Sequence, residues 1–305
     1  MNMAIINTPM ENPGSTPVNL RRAINNIDAL PAMPVVAQKL LALQMGTEES
    51  IQEMLMLIEQ DPQISAKIIG LANSAMIATT RKVLTTKDAV IILGIARVYS
   101  VSIGIAIMSL MNKTPAGRLG LQDLWLHSFG IAFAMLGIAR AMPARSRPQD
   151  DQVFLAGLLH DIGYLVLAFL DPKRSDKLHA RLELEPDRPA LEIEKEMLEM
   201  SHDELGSELA RHWNLPDEII TVMRFHHTPD KAEAAAGQPL VRMINIAEKL
   251  LTSFGVNEYV DPAISDEEWK ALGIDPSNTV EVRKQVIEQA EHAMQFTSTF
   301  ARLSG

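Results

Sequence analysis

The sequence predicts an all-α protein, and three observations support this fold class. Aromatic residues make up only 5% of the 305 residues, few for an all-β core, whereas the 17 methionines suit packing between helices. Helix start signals recur from about residue 19 to the end of the chain. No Asn-Gly or Asp-Gly dipeptide, the strongest signal for a β-hairpin, occurs between alternating segments.

Local signals predict where several helices begin. Asp61-Pro62 is typical of an N-cap followed by the first helical residue, because proline lacks the N–H that this position leaves unpaired. Ser50-x-x-Glu53 and Ser201-x-x-Glu204 match the capping box, in which a hydroxyl and a Glu side chain satisfy free N–H groups. We therefore expect helices to begin near residues 51, 62 and 202.

Apolar periodicity extends this pattern into a series of helices. The predicted helical segments are 34–45, 51–60, 62–72, a long apolar segment at 89–110, 121–142, 153–170 with a break at His160-Asp161, 202–213, 216–225, 238–254 and a terminal amphipathic helix within 265–303. The charged segment 174–199 is expected to be exposed. We also expect His179, His212 and His292 to lie on the surface, because their neighbours are polar or charged.

Composition divides the chain into four parts. We expect a flexible N-terminal tail at 1–18, a first helical half at 19–112, a second helical half at 121–256 that carries the candidate site, and a C-terminal helical tail at 257–305. Lys113 to Gly120 reads as a linker, since proline and glycine interrupt it. The tail lacks the basic and apolar regions of a signal peptide, so a cytoplasmic location is expected.

The apolar segment 89–110 is the one serious transmembrane candidate. It is long enough to span a bilayer. Arg97 would then lie near the bilayer centre at a cost of roughly 2.5–3.5 kcal/mol, and small or polar residues dilute the run. We favour a helix buried in a soluble core, with a membrane role as the alternative.

Charge and cysteine content limit the partners and cofactors. The net charge is −10, so the surface repels phosphate backbones and direct nucleic-acid binding is disfavoured. The chain has no cysteine, which excludes zinc ribbons and iron–sulfur clusters. Its eight histidines still allow a site of imidazole and carboxylate ligands for Fe, Mn, Zn or Mg.

A histidine-aspartate pair interrupts the most apolar stretch of the chain. His160 and Asp161 lie within the otherwise uncharged run 153–170. A buried carboxylate is costly unless it is paired, hydrogen-bonded or metal-bound. Two readings are open for the dipeptide alone: a turn in which Asp161 caps a helix starting at Ile162, or part of a polar site.

The other histidines strengthen the second reading. Singly, each has an ordinary explanation as a core, cap or helix-end residue. Together with one late carboxylate they form an ordered pattern of H, HD, H, HH and E along a helical block, contributed by His127, His160-Asp161, His202, His226-His227 and Glu248.

These residues and the segments around them carry a family resemblance. The matching segments are LPAMPVVAQKLLAL at 30–43, IEQDPQISAKIIGLANSA at 58–75, LGIARVYSVSIGIAI at 93–107, LWLHS at 124–128, AGLLHDIG at 156–163, SHDELGSELARHWNLPDEI at 201–219 and FHH at 225–227. The chain from about Ile27 to Leu251 resembles the HDOD branch of the HD superfamily of helical metal-dependent phosphohydrolases. The resemblance implies an HD-like helical bundle with an additional N-terminal helical subdomain.

The resemblance also implies a ligand set and an ion. By position, the metal ligands would be His127, His160, Asp161 and Glu248, with His202, His226 and His227 as additional ligands, and Asp161 would be the catalytic carboxylate. One or two divalent ions are expected, Fe or Mn before Zn.

Three departures weaken a catalytic reading. Glu248 stands where the family has aspartate, and Tyr164 stands where active HD enzymes often carry lysine. The segment after His227 lacks the GYP signature of the cyclic-di-GMP phosphodiesterases.

We therefore expect a signal-transduction output module that binds signalling proteins or a nucleotide-type ligand, without nucleic acid or membrane contact. No receiver-like segment precedes residue 20, so we expect its input to be absent or to come from another chain. The alternative is an active phosphohydrolase or phosphodiesterase acting on a nucleotide or another phosphoester.

Overall fold

A computed structural model describes residues 19–26, 30–74, 77, 79, 81–110, 117–252, 256 and 259–303, with side chains throughout except at 121 and 292–303. The expected tail at 1–18, the first half of the linker and the side chain of His292 lie outside this part. Within it the chain is helical, and its only β-structure is two isolated bridges. The all-α prediction is confirmed.

Sixteen α-helices follow one another in the described residues. They are α1 (Leu20–Ile24), α2 (Val35–Leu41), α3 (Glu48–Gln60), α4 (Pro62–Ala72), α5 (Thr86–Leu93), α6 (Ile95–Met108), α7 (Leu121–Ala141), α8 (Asp150–Leu159), α9 (Ile162–Leu170), α10 (Pro172–Leu184), α11 (Ala190–Leu198), α12 (His202–His212), α13 (Asp217–Phe225), α14 (Leu240–Leu250), α15 (Asp266–Ala271) and α16 (Thr279–Leu303). Two 3-10 helices lie at Ala232–Gly237 and Pro276–Asn278.

The helix starts confirm one cap and correct another. Asp61 caps α4, since its side chain accepts hydrogen bonds from the N–H groups of Gln63 and Ile64. The capping box at residue 50 was misplaced: Thr47 is the N-cap of α3, and Ser50 is its reciprocal partner. The helix begins three residues earlier than expected because a Ser can serve either as cap or as the third helical residue.

The long apolar segment is two helices, so the prediction of one helix over 89–110 was wrong. α5 and α6 meet at an angle of 119°. Gly94 lies between them at φ 84°, a backbone conformation that side chains rarely allow. Arg97 therefore lies in the first turn of α6 rather than in the middle of a span.

Two stretches are long and apolar enough to cross a membrane by length and composition alone. They are Gln122–Ala141, which is 78% buried within the fold, and Asp150–Leu170, which is 89% buried. Taken together, the bent pair α5 and α6 would also be long and apolar enough to cross a membrane. α7 packs against α8 and α14, and α16 runs along it. The apolar residues of α7, α8 and α9 thus form the centre of the core.

The charged segment between α9 and α12 forms two helices, α10 and α11. Its outer face carries ion pairs, in which Arg181 and Arg188 contact Glu185 and Glu196. Its inner face is buried, and the expectation that His179 lies on the surface was wrong, since only 8% of it is exposed. His179 is on the apolar face of an amphipathic helix, which its polar sequence neighbours hide.

Candidate metal centre

The histidine-aspartate pair lies at the joint between α8 and α9, in the middle of the core. His160 is the C-cap of α8 and Asp161 is the N-cap residue of α9, and both are fully buried. The Asp161 side chain makes no capping hydrogen bond. Neither of its oxygens has a hydrogen-bond partner among the described residues. The capping reading of this residue therefore does not explain where its carboxylate points.

Four imidazoles surround that carboxylate, two on each oxygen. His127 and His160 place their Nε2 atoms 3.2 and 3.3 Å from Oδ2. His202 and His226 place theirs 3.4 and 3.5 Å from Oδ1. The rings come from α7, α8, α12 and the end of α13. The fold thus brings together residues that the sequence spreads widely along the chain.

The remaining two predicted residues complete the cluster. His227 has its Nε2 3.1 Å from the Nε2 of His202. Glu248, on α14, has Oε1 3.5 Å from the Nε2 of His160 and Oε2 3.6 Å from the Nδ1 of His227. Its oxygens also lack a hydrogen-bond partner among the described residues. All seven predicted side chains are therefore in one cluster.

Hydrogen bonds on the far side of three rings define their tautomers. The Nδ1 atoms of His160 and His226 lie 2.8 and 3.0 Å from the carbonyl oxygens of Gly157 and Met223. The Nδ1 of His202 lies 2.8 Å from a carboxylate oxygen of Glu194. Because these oxygens only accept, each Nδ1 carries a hydrogen, and in the neutral ring Nε2 then presents a lone pair.

Charge and burial set the protonation of the central groups. Burial raises the pKa of Asp161, but His160, with His127 and His226 beside it, outweighs burial and holds that pKa well below its usual range. Burial lowers the pKa of His226, and the neighbouring His227 lowers it further. At neutral pH the cluster therefore presents the Asp161 carboxylate and the neutral imidazole of His226, the forms that bind metal ions.

The convergence of these atoms fits a cation. Lone pairs of His160, His202 and His226 face the Asp161 carboxylate at 3.3 to 3.5 Å, where acceptors repel one another unless a positive charge lies between them. The potential ligand atoms form two groups that share Asp161, and within each group they all lie within 4.8 Å of one another. One group is His127, His160 and Asp161. The other is Asp161, His202, His226 and His227. The nitrogen and oxygen donors suit a transition metal ion.

The ring of His202 has supports that sequence reasoning missed. Fully buried Glu194 bonds to its Nδ1, and the Tyr164 ring stacks on it with centroids 4.3 Å apart. Glu194 lies in the acidic run of α11, and the sequence does not distinguish it from its exposed neighbours.

The start of α12 corrects the second capping-box prediction. The helix begins at His202 as expected, but the side chain of Ser201 bonds to Asp203 rather than capping the helix. Arg224 also bonds to Asp203. The pKa of Asp203 is low because His202, Ser201 and Arg224 outweigh its burial.

The centre is almost closed to solvent. His127, His202 and Glu248 are 6%, 1% and 2% exposed, and the side chain of His227 is 12% exposed. His127 and His227 are thus the two most exposed of the seven side chains.

Comparisons with known proteins identify the family and the fold. The family model of the HDOD domain matches residues 30–229. An uncharacterised protein of Treponema pallidum (strain Nichols) is 27% identical over 206 residues, covering 67% of this chain and 38% of that protein. The chain thus spans well under half the length of this curated relative.

Solved structures share the fold. A protein of Marinobacter aquaeolei VT8 assigned to signal transduction has a TM-score of 0.78 at 24% identity, covering 93% of this chain and 65% of that one. A Shewanella amazonensis SB2B protein assigned as a phosphohydrolase has a TM-score of 0.70 at 22% identity, and the match covers 91% of this chain and 97% of that one. A Geobacter sulfurreducens HDOD domain protein of unknown function has a TM-score of 0.66 at 24% identity, and the match covers 89% of this chain and 98% of that one. These likenesses establish an HD-type helical fold.

Proposed function

The chain belongs to the HDOD domain family, and on that premise we propose that it is a regulatory, partner-binding module of bacterial signal transduction that keeps an HD-type metal centre. The observation that carries the proposal is the burial of the centre. His160, Asp161 and His226 are fully buried, and the two most accessible ligands are only 6% and 12% exposed. A substrate would have to reach the reacting atoms past side chains that are almost completely buried.

The number of donors supports a metal that holds helices together. Asp161 with His202, His226 and His227 offers four protein ligands. Asp161 with His127 and His160 offers three, and Glu248 lies beside them. Four protein ligands fill every position of a tetrahedral ion such as Zn²⁺, as in structural zinc sites, whereas catalytic zinc sites keep one position open. The donor set favours Fe or Mn, with Zn possible, as one or two ions.

Tyr164 adds a second argument against turnover. It stands where the resemblance to active HD enzymes would place a lysine, and its buried ring stacks on His202. An aromatic ring does not supply the positive charge that would hold a substrate phosphate.

The alternative function is a metal-dependent phosphohydrolase or phosphodiesterase. The observation that favours it is the division of ligands between the two oxygens of Asp161. Two metal ions bridged by a carboxylate can lower the pKa of a shared water and clamp the oxygens of a phosphoester. In that case Asp161 would be the catalytic carboxylate that holds both ions.

Partners follow from charge. With a net charge of −10 we propose contact with signalling proteins or a nucleotide-type ligand, and no contact with nucleic acid or a membrane. The apolar helices α7 to α9 are largely buried within the fold, which supports a soluble, cytoplasmic protein.

Metal content and hydrolysis together test the proposal. Purified protein is analysed by plasma emission, and bis-p-nitrophenyl phosphate hydrolysis is followed with added Mn²⁺ or Fe²⁺. Asp161→Asn removes the shared ligand, and Asp187→Asn makes the same change at an exposed aspartate. We expect bound metal in the wild type and in Asp187→Asn, its loss in Asp161→Asn, and no turnover by any of them.

Two results would contradict this. Turnover by the wild type that Asp161→Asn abolishes would favour the hydrolase. Wild-type protein that holds no metal after growth with Fe or Mn would remove the metal centre from the proposal.

A further inference from the structure

Glu194 is a buried carboxylate outside the predicted ligand set. It is fully buried, whereas the side chains of its helix neighbours Glu192 and Glu196 are 61% and 47% exposed. Burying a carboxylate costs several kcal/mol unless hydrogen bonds compensate. Its position therefore needs an explanation in terms of what it contacts.

Both contacts of this carboxylate are with His202. One oxygen accepts the backbone N–H of His202 at 2.8 Å. The other lies 2.8 Å from its Nδ1. His202 is the first residue of α12, so its N–H has no partner within the helix. Glu194 thus caps α12 and holds the ring at its first residue.

The ring is fixed from two further directions. Tyr164 stacks on its face with an interplanar angle of 20°. Its Nε2 lies 3.4 Å from Oδ1 of Asp161 and 3.3 Å from the Nε2 of His226. With Nδ1 donating to Glu194, the only form of the neutral ring that fits has its lone pair directed at the centre.

The acceptor at Nδ1 distinguishes His202 from His160 and His226, the other two rings whose tautomers are defined. His160 and His226 donate to backbone carbonyls, which are neutral. His202 donates to a carboxylate, and a carboxylate behind a metal-binding histidine fixes its tautomer and raises its basicity as a ligand.

We propose that Glu194 is the positioning residue for His202: it holds the ring in the Nδ1–H tautomer and thereby prepares the Asp161, His202 and His226 side of the centre for a metal ion. The inference rests on the proposed metal centre, but not on whether the protein turns over a substrate.

The matched variants are Glu194→Gln and Glu192→Gln. A glutamine at 194 has one accepting oxygen, and when that oxygen accepts the backbone N–H of His202, its donating amide takes the place of the oxygen nearest to Nδ1. The ring is expected to change to the Nε2–H tautomer and direct a hydrogen at the centre. Glu192→Gln makes the same change on the exposed side of α11 and is the control.

Two measurements follow. The tautomer is read from ¹⁵N shifts of metal-free, ¹⁵N-histidine-labelled protein, with the His202 signals assigned by their loss in His202→Gln. Mn²⁺ affinity is measured from the free-ion signal in electron paramagnetic resonance titrations. We expect Nδ1–H in the wild type and in Glu192→Gln, and Nε2–H in Glu194→Gln. Mn²⁺ binding by Glu194→Gln should weaken about 10- to 100-fold.

The outcomes separate this inference from the proposed function. Wild-type protein that shows the Nε2–H tautomer at His202, or a folded Glu194→Gln that binds Mn²⁺ as the wild type does, would overturn the role of Glu194. Failure of the wild type to bind Mn²⁺ would instead overturn the metal centre. If circular dichroism shows that Glu194→Gln is unfolded, the wild-type tautomer decides, together with Glu194→Asp, which keeps both accepting oxygens and should keep Nδ1–H.

Discussion

At the scale of single residues, the ends of helices explain how two of the histidines are oriented. His160 and His226 are C-caps, and each donates from Nδ1 to the carbonyl three residues earlier, at Gly157 and Met223. Carbonyls in the last turn of a helix have no helical partner, so they are available as acceptors. A histidine at such a position points its Nε2 away from the helix that it ends.

Gly163, in the first turn of α9, makes the close packing of α9 and α12 possible. A Cβ at Gly163 would lie 1.8 Å from the carbonyl oxygen of His202, a backbone atom that cannot move aside. We expect Gly163→Ala to lower the free energy of unfolding by about 3 kcal/mol or more, as severe overpacking does.

The control for this prediction is Gly70→Ala. Gly70 lies in α4, and a Cβ added there would have no other atom within 4 Å, so alanine should stabilise the protein by about 0.5–1 kcal/mol. Urea denaturation of both variants measures the difference. Equal stability of Gly163→Ala and the wild type would mean that α9 and α12 are farther apart than described.

The sequence was sufficient to select the residues of the cluster but not the residues that support them. His127, His202 and Glu248 are selected by their order along the chain and meet as expected. Glu194 is one of three glutamates in α11, and only the packing of α11 against α12 determines which of them faces inward. A residue that acts through another side chain leaves no pattern of its own in the sequence.

At the scale of elements, helix periodicity predicted most segments, and the errors occurred where tertiary structure decides. α4 begins and ends as expected, because Asp61-Pro62 is a strong local start signal. The break between α5 and α6 was missed because a single glycine inside an apolar run is compatible with a continuous helix. Its positive φ follows from how the two helices pack on α3 and α4.

The bend between α5 and α6 gives a second prediction. Gly94 has φ 84° and open space where a Cβ would be, so alanine there is opposed by the backbone alone. Gly94→Ala should lower the free energy of unfolding by about 1–3 kcal/mol. Thermal unfolding measures the effect against Gly70→Ala. Stability equal to that control would contradict the strained conformation.

The attachment of α15 to α14 should depend on pH. Glu268 accepts from Lys249 at 2.6 Å and from the N–H of Ser265 at 2.7 Å. Burial raises its pKa, but these two partners outweigh burial and lower it. The unfolded carboxyl takes up a proton near pH 4.3, before the folded one, so this contribution is complete above that pH and is lost as the pH falls through the folded value.

We therefore expect Glu268→Gln to cost about 1 kcal/mol of unfolding free energy at pH 7, and the difference from the wild type to narrow below about pH 4.3. Urea denaturation at several pH values measures this, with Glu267→Gln on the exposed side of α15 as control. A difference that is constant with pH would show that the ionised form of Glu268 is not what stabilises α15.

At the scale of the whole molecule, the candidate centre connects helices from α7 to α14. Its candidate ligand atoms converge on the Asp161 carboxylate, and acceptors this close repel one another. A metal ion that binds the folded protein alone should stabilise it by about 2.7 kcal/mol at a free concentration of about 100 times its Kd. Mn²⁺ should therefore raise the melting temperature of the wild type and leave that of Asp161→Asn unchanged.

Acid should reverse this stabilisation, because protons compete for the imidazoles. The pKa of His226 is lowered, so competition at that ring begins only below the ordinary value of about 6.5. The metal-induced rise in melting temperature should be full at about pH 7.5 and shrink below roughly pH 6.5. A rise of equal size in Asp161→Asn would place the ion elsewhere.

The way α16 packs along α7 has a practical consequence for how this domain is cut from longer proteins. The family match ends at 229, yet α14 contributes Glu248 and α16 covers the helix that carries His127, with Val286 against Gly137. A fragment trimmed to the shared region would leave the apolar side of α7 facing water and would lack one carboxylate of the centre. We therefore expect the unit that folds to be larger than the stretch that matches the family model.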